Sequence, residues 1–147
     1  MWRGLLLFVV SCGTEPVFVT RHGLSVYEAN GFSQATIEYT TDTLLEVSKR
    51  SGKRLEGVAV YLLDDISSCV GCGEGGGYKA STQEMWVKIF EPKCLPVSSF
   101  IHELCHVMFR GEHTHPSTWI WGEGGLVNTA VHQSAHEQCK FNASGTE

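Results

Sequence analysis

The chain has 147 residues, a formal net charge of −5, and 42% hydrophobic against 18% charged residues. That length supports one domain around a single core. A net negative charge without any Lys/Arg cluster argues against nucleic acid as a partner. No internal repeat or long linker divides the sequence.

At the N-terminus, Trp2-Arg3 precedes the apolar run Leu5-Leu6-Leu7-Phe8-Val9-Val10 and then Ser11-Cys12-Gly13. One positive charge, a short hydrophobic stretch and a small residue make an export signal, too short to span a bilayer as a helix. The alternative is a first buried strand. Val9-Val10-Ser11-Cys12 resembles a bacterial lipobox, which implies a signal segment over 1–11, lipidation at Cys12 and an exported, lipid-anchored or secreted domain over 13–147. Membrane contact is then expected only through that anchor, and the domain is expected to be a monomer.

Val17–Thr20 and Leu24–Tyr27 flank His22-Gly23 and read as a hairpin. Ser33 is placed to cap a helix running to about Arg50, with Ile37, Thr41, Leu44, Leu45 and Ser48 facing inward. Glu46 and Arg50 are spaced to pair on its outside, and Gly52 ends it. Gly57–Leu63 is apolar on both alternating faces, as in a strand central to a sheet. Ser67–Gly77 holds two cysteines and five glycines and reads as a loop. Without a following Gly-Lys-Ser/Thr it is no phosphate cradle. Met85–Phe90 reads as a strand forming a cleft edge.

Next comes His102-Glu103-Leu104-Cys105-His106, an H-E-x-x-H. Phe100, Ile101, Leu104, Val107 and Met108 lie at helical spacing on the side opposite the two histidines. Pro96, Ser98 and Ser99 signal a start and Arg110-Gly111 a stop. On a helix, imidazoles at i and i+4 stand one above the other and can grip one zinc ion. The intervening glutamate can reach a zinc-activated water and take its proton. Two incidental histidines on a buried helix are the alternative.

A catalytic zinc needs a third protein ligand. Candidates are Glu123, His113, His115 and the pair His132/His136. Trp119 to about Gln138 reads as a final helix, weakened at Gly122, Gly124 and Gly125. On a continuous helix His132 and His136 would point away from Glu123, so they read as a solvated face. Phe109 and Glu112 stand where a metzincin wants glycine and histidine.

His102-Glu103-x-x-His106 followed by Trp119-Ile120-Trp121-Gly122-Glu123-Gly124 resembles the gluzincin metallopeptidases, in which a Trp-x-x-Glu-Gly segment supplies a glutamate ligand. The resemblance covers about residues 33 to 138. It implies an α+β, zincin-like fold: a mixed sheet, an edge strand over a cleft, a motif helix and a ligand helix. It also implies zinc (Zn2+) held by His102, His106 and Glu123, with Glu103 as general base. The substrate would be a peptide or protein, bound along the strand bearing Trp86, Val87 and Lys88. In several such enzymes a carboxylate one turn beyond the glutamate ligand orients a histidine. Val127 stands there, leaving Asp64 or Asp65 as substitutes. His113, His115 and Tyr78 are candidates to stabilise an oxyanion. A zinc-binding surface lipoprotein without peptidase activity is the competing class.

Cysteines agree with export. Cys105, on the motif helix, reads as a small buried hydrophobe. Cys69, Cys72, Cys94 and Cys139 are expected to form two disulfides, with Cys69 and Cys72 bonded to distant partners. A second, structural zinc on those four thiolates is the alternative.

Overall fold

Alternation of buried and half-open residues along five short segments builds the framework in the computed structural model, which describes residues 15–90, 95, 97–109, 125 and 128–133. β1 (Phe18–Val19) and β2 (Ser25–Glu28) form the expected antiparallel hairpin. The turn closes through Gly23 N–H donating to Thr20 O at 2.9 Å and Leu24 N–H donating to Thr20 Oγ1 at 3.1 Å. β3 (Ala59–Leu63), β4 (Gly76–Lys79) and β5 (Glu84–Lys88) complete one mixed sheet in the order β1-β2-β3-β5-β4. β2, β3 and β5 run parallel, while β1 and β4 are antiparallel to their neighbours. β3 is therefore central, as its apolar run demands.

α1 (Gln34–Ser48) carries the chain from β2 toward β3. Ser33 caps it by accepting from Thr36 N–H, which satisfies one of the orphan donors of the first turn. Ile37, Thr41 and Leu44 are buried as their spacing predicts, and Thr40 and Thr43 join them. Buried threonines are tolerated because each hydroxyl donates to a carbonyl one turn back, Thr41 to Ile37 O at 2.8 Å and Thr43 to Tyr39 O at 2.9 Å.

The helix ends at Ser48, earlier than the sequence pattern suggests, because Lys49 turns left-handed at φ 56°. Arg50 thus lies beyond the helix, and the expected helical pairing with Glu46 is replaced by a guanidinium 4.2 Å over the Phe109 ring. A 3₁₀ turn, Gly52–Leu55, follows.

α2 (Val97–Met108) packs across β4, β5, the 3₁₀ turn and α1. Val26, Val60, Leu62, Met85 and Val87 from the sheet join Ile37 and Leu44 of α1 and Phe100, Ile101, Leu104 and Val107 of α2 in one core. The opposite sheet face carries a ladder of half-buried rings. Tyr27 stacks on Tyr61 at 5.6 Å and Tyr61 on Trp86 at 4.8 Å, the spacing of neighbouring strands. The fold is the α+β class with a mixed sheet expected from the sequence.

Three expectations are corrected. Met85–Phe90 is not an edge. β5 pairs with β3 on one side and β4 on the other, so its backbone groups are already committed. Among the described strands the edges are β1 and β4, and β4 grows out of the glycine-rich stretch read as pure loop. Cys69 and Cys72 bond to each other rather than to distant partners, which also removes them from a four-thiolate zinc site. Finally, Gly125 is not helical and residues 128–133 are, so no continuous helix runs through 119–138. Gly125 O accepts from Thr129 N–H at 3.0 Å and Oγ1 at 3.1 Å. Gly125, about 1 kcal/mol worse than alanine inside a helix, suits a break at that point.

Candidate metal centre

α2 is nearly submerged. Phe100, Ile101, Leu104, Cys105 and Val107 are fully buried, Met108 almost so, and only Ser99, His102 and His106 among its described side chains remain partly open. Those three fall at i, i+3 and i+7, one stripe along the helix. The histidines therefore occupy the narrow open line of an otherwise buried element.

Their geometry is specific. The two Nε2 atoms stand 3.2 Å apart, with the rings edge-on to one another at 75° and centroids 4.8 Å apart. A point about 2.05 Å from both nitrogens, the usual Zn–N distance, would be subtended at about 103°, close to tetrahedral. The spacing of the two nitrogens thus matches that of two ligands to one zinc ion. Among the described residues no group of three or more His, Cys, Asp or Glu side chains gathers as a ligand set. Glu123, His113, His115 and His136 lie outside the described residues, as do Cys12, Cys94, Cys139 and Val127. His132 is exposed, in keeping with a solvated face.

Glu103 sits between the histidines in sequence and is 6% exposed. Burial pushes its carboxyl from 4.5 up to about 7, since a desolvated charge is costly. Cys105, two residues on, is a buried free thiol pushed up to about 12 by burial and then by Glu103. At neutral pH it stays protonated and acts as a small hydrophobe, as expected.

The last turn of α2 is held from a distance. Arg54, in the 3₁₀ turn, donates from its Nη1 to Met108 O at 2.9 Å. A cation here satisfies a terminal carbonyl and opposes the negative end of the helix dipole. No local pattern marks this contact, because Arg54 is 54 residues upstream.

The sequence-assigned substrate residues scatter. Val87 is buried in the core, while Trp86 belongs to the ring ladder on the other face, with Lys79 Nζ 5.6 Å from its centroid. Tyr78, opposite Met85 on β4, packs against the core on the helix side of the sheet. Asp64 and Asp65 do not orient either histidine. Asp64 Oδ1 accepts from Asn30 Nδ2 at 2.9 Å and Asp65 Oδ1 from Ser67 N–H at 2.8 Å.

No family model matches the chain, and neither a curated protein nor a solved structure is significantly similar to it. Residue chemistry has to carry the functional argument.

Proposed function

We propose that this protein is an exported zinc-dependent metallopeptidase whose ligands are His102, His106 and Glu123 and whose general base is Glu103. The observation that carries the reading is the convergence of His102 and His106 Nε2 to 3.2 Å on the open stripe of a buried helix, with a buried carboxyl between them. Zinc held by these residues would supply Lewis acidity, acidifying a water and polarising the scissile carbonyl.

Glu103 takes the proton of the attacking water and passes it to the leaving amine. Its burial keeps bulk water from competing. An extended peptide is placed along β4, where an edge strand can add a partner through main-chain hydrogen bonds. β4 suits this role because α2 packs directly against it. Gly76 and Gly77 also leave part of that strand without side chains. Export rests on the Leu5–Val10 run and the lipobox-like Val9–Cys12, with lipid attachment at Cys12.

The test is Glu103→Gln. The variant should keep one zinc per chain and lose hydrolysis of a denatured protein or peptide mixture. A zinc-loaded Glu103→Gln variant that still cleaves would remove the mechanism. Zinc binding without cleavage in either form would favour the zinc-binding lipoprotein instead.

A further inference from the structure

The Cys69–Cys72 disulfide closes a ring of only three residues' separation. A loop that short removes little chain entropy when closed, so stability is a poor explanation for it. Its surroundings offer another. Cys69 is 6% exposed, but Cys72 is half-open, and between them Val70 is 85% exposed and Gly71 is exposed. Cys72 is therefore the more open half of the pair.

The Cys72 sulfur leans on the edge strand. A Cβ placed on Gly77 of β4 would lie 2.6 Å from Cys72 Sγ, 3.1 Å from Cys72 Cα and 3.2 Å from Cys72 Cβ, so Cys72 packs flush against the strand and the sulfur makes the tightest contact. One residue earlier, a Cβ on Gly76 would run into the Trp86 carbonyl oxygen. Gly73 N–H donates to Gly76 O at 2.9 Å, tying the disulfide loop to the first residue of β4. Among the described residues β4 has a sheet neighbour, β5, on one side only. On its loop side the strand is held by this contact.

We infer that Cys69–Cys72 is a thiol-exchange site for a dithiol reductant, and that opening it loosens edge strand β4. The first thiolate of the dithiol attacks Cys72 Sγ, the Cys69–Cys72 bond breaks, and Cys69 leaves and takes up the proton given up by the attacking thiol. The second thiol of the reductant then displaces Cys72, which takes the remaining proton. The chain gains two electrons and two protons, and the reductant becomes a disulfide. Cys72, no longer tethered to Cys69, can withdraw from Gly77. This inference does not rest on the zinc reading.

The test uses the oxidised full chain in graded ratios of reduced to oxidised dithiothreitol, without denaturant. Intact mass, peptide mapping after iodoacetamide and hydrogen exchange of the β4 amides are read on the same samples. Cys69 and Cys72 should alkylate while Cys105 does not, and β4 amides should exchange about tenfold faster once local opening is eased. The Cys69→Ser/Cys72→Ser variant should exchange fast at every ratio. Gly77→Ala, whose methyl would press on the closed disulfide, should make reduction about tenfold easier, a shift of about 30 mV. A bond that resists dithiothreitol until the protein unfolds overturns the proposal. So does an open disulfide with unchanged β4 exchange, or a Gly77→Ala chain that reduces at the parent's ratio.

Discussion

Replacing Glu103 by glutamine separates the electrostatic cost of this residue from its chemistry. In the metal-free fold the carboxyl keeps its proton up to about 7, whereas in the unfolded chain it releases it near 4.5. Between those values the folded state binds more protons than the unfolded one, so stability falls as pH rises and the loss is complete above 7. The gap corresponds to about 3 kcal/mol, at about 1.4 kcal/mol for each tenfold step. With the side chain 6% exposed, solvent screening removes little of it. Glutamine does not titrate. Relative to the parent, the variant should therefore gain about 3 kcal/mol between pH 4 and pH 8, a urea-midpoint shift of about 2 M for a domain of this size. Urea unfolding followed by circular dichroism, in the presence of a chelator, measures the difference at both pH values. A parent–variant gap that stays constant from pH 4 to pH 8 refutes the argument that Glu103 is ionised at a cost inside the fold.

His102→Ala and His106→Ala should each abolish binding of one zinc per chain, and Glu123→Gln should weaken it by at least about tenfold. Metal analysis after dialysis decides this, and loss of zinc in His113→Ala or His115→Ala but not in Glu123→Gln would move the third ligand. Arg54→Met removes the cation from Met108 O and should cost about 1 kcal/mol in urea unfolding, less at high salt; an unchanged midpoint would mean that the contact holds nothing. Chain isolated from its native host should begin at Cys12 and carry an added acyl-glyceryl mass, and a full-length chain in the cytoplasm would overturn the export reading.

Residues close in sequence determined much of this protein by themselves. The Ser33 cap and the buried spacing of Ile37, Thr41 and Leu44 specify α1, and His22-Gly23 between two apolar pairs specifies the β1–β2 hairpin. The i, i+4 spacing in α2 brings His102 and His106 together before any tertiary contact forms. Each of these rests on backbone geometry within one or two turns, which the local pattern encodes directly. Sheet order does not work that way. Met85, Val87 and Ile89 alternate with their neighbours whether β5 is internal or at the edge, because alternation reports which face is buried and not which side is paired. Only the folded chain puts β4 outside β5, closes Cys69 on Cys72 against Gly77, and brings Arg54 to the end of α2. The burial of Glu103, and with it the raised carboxyl, is likewise a product of packing by elements far away in sequence.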